Sequence, residues 1–188
     1  EARQLGLGNH LIVGAAEHKA VLDTAADLQA RFGFQVTYIR PDAFGRARPG
    51  AVARALRSDT VLVSIMLANN ELGTINQVGD LAQLVLERAP AARIHCDAVQ
   101  AAGRVAIDVG ALRVDSLALS AHKMYGPKGI GGLYVRPGVQ VARQIAGGGQ
   151  ERGLRAGTES PALVAGFARA FEIAEDLRDG EADRLARL

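Results

Sequence analysis

Lys123 is the first residue in this chain whose type and setting suggest chemistry. It lies in Ser120-Ala121-His122-Lys123-Met124-Tyr125-Gly126-Pro127-Lys128-Gly129, directly after the apolar run Val114 to Leu119. The chain has only three lysines, Lys19, Lys123 and Lys128, and arginine supplies the rest of its 22 basic residues. Only a primary amine condenses with a carbonyl to give a Schiff base, and a guanidinium cannot replace it. A lysine at the mouth of a buried strand, with a histidine before it and a glycine-rich turn after it, suits an aldehyde cofactor. Lys19 reads as a helix-surface charge, and Lys128 has no covalent role.

Asp97 is the second anchor. A carboxylate at a strand end, beside alanines and Cys96, is partly desolvated and can keep a heteroaromatic nitrogen protonated. Opposite charges about 4 Å apart interact by roughly 4 kcal/mol at an effective dielectric of about 20. That is worth about three pKa units, enough to hold a pyridine protonated at neutral pH. A protonated ring is the electron sink of pyridoxal phosphate chemistry. Taken alone, Asp97 could equally cap a helix starting at Ala98.

Other polar residues follow apolar runs in the same way. His18 could stack on a planar cofactor and shuttle protons, or simply cap a helix. Gln100 lies three residues after Asp97, on the same side if a helix begins there, and could donate to a phenolate oxygen. Asn69-Asn70-Glu71 could bind a substrate carboxylate or form a turn. The loop Gly147 to Thr158, rich in glycine and arginine, can offer backbone N–H groups to an anion or be a plain surface loop. Cys96 is a tempting nucleophile, but the carboxylate next to it raises its pKa, and a buried structural thiol is the better reading. No metal-binding set is expected.

The elements that must position these residues alternate along the chain. His10 to Ala15 is a short apolar run. Helical periodicity covers Lys19 to Arg31, Gly50 to Arg57, Val78 to Arg88 and Pro161 to Leu177. Strand-like runs cover Gln35 to Ile39, Thr60 to Leu67, Arg93 to Cys96 (ending at Asp97), Val114 to Ser120 and Gly131 to Val135. Such alternation predicts an α/β fold, a three-layer α/β/α arrangement with a mainly parallel sheet. In such sheets ligands bind beyond the carboxyl ends of the strands, where the polar clusters fall.

Composition bounds the function. The 188 residues suit one domain, with 48% hydrophobic and 22% charged residues and a net charge of +2. No basic run interleaved with aromatics points to nucleic acid. The single cysteine rules out an internal disulfide and fits a reducing cytoplasm. No apolar stretch reaches membrane-spanning length, and no signal peptide is visible. The start at Glu1 and the charged helical pattern from Phe167 to Leu188, with Gly180 as its only stop signal, suggest a piece of a longer enzyme.

Five blocks in register carry a resemblance over essentially the whole chain: Glu17-His18-Lys19-Ala20-Val21, Ser64 to Gly73, His95-Cys96-Asp97-Ala98-Val99-Gln100, Ser120 to Gly129, and Gly147-Gly148-Gly149-Gln150-Glu151-Arg152 through Thr158. Together they resemble fold-type I pyridoxal phosphate enzymes of the class V aminotransferase group, and more closely the cysteine desulfurases. The resemblance implies the large cofactor domain of the aspartate-aminotransferase type over residues 1–188. It implies a Schiff base of pyridoxal 5′-phosphate to Lys123, which also moves protons. It implies Asp97 on the pyridine nitrogen, Gln100 on the ring oxygen and His18 stacked on the ring. Ser120 and His122 would hold the phosphate, Asn70 the substrate carboxylate, and Thr158 the phosphate of a neighbouring subunit in a homodimer.

The implied reaction converts L-cysteine to L-alanine and leaves a persulfide on an enzyme cysteine. That sulfur would pass to an acceptor protein for iron–sulfur cluster assembly or tRNA thiolation. Selenocysteine lyase, another class V enzyme or a non-catalytic scaffold of the same fold are the alternatives. The family's nucleophilic cysteine, its carboxylate-clamping arginine and its glycine-and-threonine phosphate loop match nothing here. An N-terminal segment and a C-terminal small domain are therefore expected to lie outside this chain, which alone would lack persulfide turnover.

Overall fold

Five short apolar runs pair in parallel in the computed structural model, which describes residues 6–188. The strands are β1 (His10–Gly14), β2 (Gln35–Ile39), β3 (Thr60–Ser64), β4 (Arg93–Asp97), β5 (Ser116–Ser120) and β6 (Gly131–Val135). Their order across the sheet is β2-β1-β3-β4-β5-β6. The first five run parallel, and β6 returns antiparallel along β5. The helices are α1 (Lys19–Phe32), α2 (Pro49–Ala55), α3 (Val78–Arg88), α4 (Val109–Leu112) and α5 (Pro161–Ala186).

The register builds the core. Ile12 lies opposite Val63, Val63 opposite Ile94, and Cys96 opposite Leu117. These side chains share one face and merge with Val52 of α2 and with Val78, Leu81 and Val85 of α3 in the main apolar cluster. Leu11 and Val13 alternate to the opposite face and are also buried, where α1 lies along β1 and β2. Burial on both faces explains why these strands read as unbroken apolar runs. Asp115 locks the far side of the sheet: its carboxylate accepts the Ile94 N–H at 2.8 Å and an Arg136 N–H at 2.6 Å.

The observed boundaries differ from expectation at a few places. The β3 ladder ends at Ser64, not Leu67. Residues 65–67 nevertheless stay extended against β4, with Ile65 N–H donating to His95 O at 3.1 Å and Leu67 N–H to Asp97 O at 2.9 Å. β5 starts at Ser116, two residues later than expected. No regular helix follows Asp97; residues 98–105 form a run of turns. The four-residue α4, too short for a periodic signal, is capped by the Asp108 carboxylate, which accepts from Gly110 and Ala111 N–H. α5 continues past Gly180 to Ala186. Among the described residues no helix is long and apolar enough to cross a membrane.

Candidate active site

Because β1, β3, β4 and β5 run parallel, their carboxyl ends open on one edge of the sheet. After β1 the chain turns through Ala15-Ala16-Glu17, and His18 caps α1, its Nδ1 accepting the Ala20 N–H at 3.1 Å. The imidazole is exposed, and the cap fixes where its ring sits. After β3, Asn69 stitches two exits together. Its amide nitrogen donates to Ala16 O at 2.8 Å, and its Oδ1 accepts the Glu71 and Leu72 N–H groups at 2.9 and 2.7 Å. Asn69 is thus the turn-former, and its exposed neighbour Asn70 is the one left facing solvent.

At the end of β4, Asp97 is only 8% exposed. Its Oδ1 accepts the Val99 N–H at 2.9 Å, so the capping interaction expected of it is present. Among the described residues no basic side chain pairs with it. A nearly buried carboxylate without a cation is the chemistry that fits a protonated heteroaromatic nitrogen. Gln100, half-buried in the following turns, stands beside the same opening.

β5 runs straight into a single 3-10 turn, Ala121–Met124. Ala121 and Met124 are buried and anchor it, while the exposed His122 and half-buried Lys123 lie between them. Ala121 N–H bonds Ile130 O at 3.2 Å, and Gly126 N–H bonds Ala121 O at 2.9 Å, closing the turn. Tyr125 reverses the chain in the left-handed region at φ 61°, an uncommon conformation for a residue with a side chain. Ser120 Oγ and His122 Nδ1 lie 2.9 Å apart, a hydroxyl and an imidazole poised together. This end of the sheet therefore gathers His18, Asn70, Asp97, Gln100, Ser120, His122 and Lys123.

Thr158 stands apart. It is exposed in the glycine-rich loop, which folds on itself through Ala156 N–H to Ile145 O at 3.2 Å and Gly157 N–H to Gln150 Oε1 at 3.2 Å. An open groove of about 620 Å³ also lies elsewhere, at β2 and α2 between Tyr38, Arg40, Arg48 and Arg54, and includes none of the expected site residues.

Two further groups complete the electrostatics. Cys96 is fully buried, and its thiol is pushed up to about 12 by burial first, then by the Glu17 and Asp97 charges. Such a thiol is no nucleophile at neutral pH. Glu17 carries no chemical signal in its own sequence type, yet its carboxyl is buried and pushed up to about 8, chiefly by desolvation and secondarily by Asp97. The only sequence signal for it is the run of small residues Gly14-Ala15-Ala16 before it, which leaves room for a folded-back side chain.

Residues 1–185 match the family model described as aminotransferase class-V. The chain is 48% identical over 183 residues to cysteine desulfurase IscS of Azotobacter vinelandii, covering 96% of this chain and 45% of that protein. It is 46% identical to cysteine desulfurase IscS of Anaeromyxobacter dehalogenans, with the same coverage. The chain thus spans about half the length of these relatives. Among solved structures, it resembles one titled NifS-like protein (TM-score 0.89, 42% identity, 94% of this chain and 48% of that one). It also resembles SspA in complex with cysteine (TM-score 0.85, 42% identity, 90% and 49%). A sheet of this order, ending in this set of polar residues and matched along nearly its whole length, makes the chain a member of the pyridoxal phosphate-dependent class V aminotransferase family.

Proposed function

We propose that this chain is the cofactor domain of a cysteine desulfurase, which converts L-cysteine to L-alanine and passes the sulfur on as a persulfide. The observation that carries the reading is the amine of Lys123 at the same strand edge as Asp97, a nearly buried carboxylate without a cation among the described residues. The identity of 46–48% to enzymes named cysteine desulfurase supports the substrate. Bound at this edge, pyridoxal 5′-phosphate supplies an aldehyde and an electron-withdrawing ring.

The chain's own residues divide the rest of the work. Lys123 Nζ is the covalent anchor, and it moves the proton at the substrate Cα. Asp97 pairs with the ring nitrogen, and the Gln100 amide donates to the ring oxygen. His18 packs on the ring face, held by its own capping bond, and carries protons. Ser120 Oγ and His122 hold the phosphate, while the Asn70 amide holds the substrate carboxylate. Thr158 belongs to the phosphate site of a second subunit, which makes the enzyme a homodimer.

In the sulfur step the Cβ–S bond of L-cysteine breaks, the sulfur joins a cysteine thiolate, and Cβ takes up a proton to give alanine. Cys96 is the only cysteine in the chain and is buried as a thiol, so the accepting thiolate comes from another part of a longer polypeptide. Residues 1–188 then form a single domain of that cytoplasmic enzyme. A protein partner takes the sulfur for iron–sulfur cluster assembly or tRNA thiolation.

The test is product analysis. The full-length protein given L-cysteine is expected to yield alanine and protein-bound sulfur in equal amounts. Turnover of L-selenocysteine alone would move the assignment to selenocysteine lyase, and absence of both products would refute it.

A further inference from the structure

One buried acid at this strand edge has no part in that scheme. Glu17 is only 6% exposed. Its side chain folds back over Gly14, where an added Cβ would lie 2.9 Å from Glu17 Oε1. That oxygen accepts the backbone N–H of Met66, in the extended segment after β3. Oε2 is equally buried and has no hydrogen-bond partner among the described residues. The carboxyl therefore bridges two exits, one residue before His18 and four residues before Asn70. The charge that acts on it is Asp97 on β4, and Glu17 in turn acts on the Cys96 thiol of the same strand. Among the described residues no lysine or arginine offsets it. Desolvation and a neighbouring carboxylate both favour the acid form, against a single backbone donor that favours the anion.

We propose that Glu17 is the second carboxyl of the site, a positioning residue that clasps the His18 turn onto the exit of β3 and holds a proton that it releases when a cationic ring nitrogen settles on Asp97. The proposal rests on the cofactor reading above. While Asp97 stands alone, its charge opposes ionisation of Glu17. A cation on Asp97 cancels that field, and the Oε2 proton leaves for the solvent with no other bond changed. By reciprocity, ionised Glu17 strengthens the hold on the cation.

Calorimetric titration of the full-length apo-protein with pyridoxal 5′-phosphate at pH 7.5 tests this. It uses two buffers of different ionisation enthalpy, neither carrying a primary amine or phosphate. Wild type is expected to release more protons per site than Glu17→Gln, by about 0.2 to 0.5. Both proteins should give a borohydride-trapped adduct at Lys123. Glu17→Met, also unable to ionise, replaces Glu17→Gln if the latter does not fold. Equal proton release by wild type and variant, with the adduct present in both, would overturn the role of Glu17 alone. Absence of the adduct in wild type would instead overturn the cofactor reading, and the linkage with it. A merely structural Glu17 would change cofactor affinity without changing proton release.

Discussion

Asp97 sits almost out of water with no cation beside it among the described residues, a situation a carboxylate tolerates poorly until a positive partner arrives. The proposed pairing with a ring nitrogen would be worth up to roughly 4 kcal/mol at about 4 Å separation. Asp97→Asn keeps the shape and removes the charge, so kcat for L-cysteine in the full-length enzyme is expected to fall by about 100-fold or more. A variant within twofold of wild type would contradict the role. Glu17 gives a second prediction through stability. Folding raises its carboxyl from 4.5 to about 8, so the folded state binds this proton more tightly than the unfolded chain does. The contribution is fully present below about pH 4.5 and is lost as pH rises toward 8, by at most about 1.4 kcal/mol per pH unit. Urea midpoints of wild type should decline between pH 5.5 and 8 relative to Glu17→Gln; parallel pH profiles would contradict it. Lys123 and Asp97 were legible in the sequence because each ends an apolar run and lysine is scarce. Glu17 was not, because its state depends on burial by β3 and on a carboxylate 80 residues away, neither of which is written near it.

The helices and strands hold these groups by ordinary means. The Asn69 amide ties the exits of β1 and β3, the His18 ring caps α1, and buried Ala121 and Met124 pin the turn that carries Lys123. Strands β2 and β6 matched their expected bounds because both are short apolar runs cut off by turn residues. β3, expected to reach Leu67, ends as a ladder at Ser64, and extended backbone continues to bond β4 beyond it. α5, with an expected end at Leu177, runs on to Ala186 because glycine weakens a helix without ending it. Gly180 costs about 1 kcal/mol relative to alanine there, whereas Glu175–Arg178 and Glu181–Arg184 pairs flank it on the helix surface. A Cβ at Gly180 would meet nothing within 4 Å. Gly180→Ala should therefore raise unfolding stability by about 0.5 to 1 kcal/mol, measured as a higher Tm. An unchanged or lower Tm would mean that this stretch is not helical in solution.

For the whole molecule, the parallel order of β1, β3, β4 and β5 is what brings scattered polar residues to one edge of the sheet. It was readable as a class of fold from alternating apolar and periodic segments. The strand order was not, because pairing is decided by crossover geometry between distant segments. Thr158 marks the other limit: it lies exposed on a loop between β6 and α5, away from the carboxyl ends of the strands in the chain order. The proposed activity depends on one covalent bond. The full-length protein should be incubated with pyridoxal 5′-phosphate, reduced with borohydride, digested and analysed by mass spectrometry. A pyridoxyl group on the peptide bearing Lys123, absent from a folded Lys123→Ala variant, is the predicted result; wild type without the adduct, or an adduct that persists in Lys123→Ala, would contradict it.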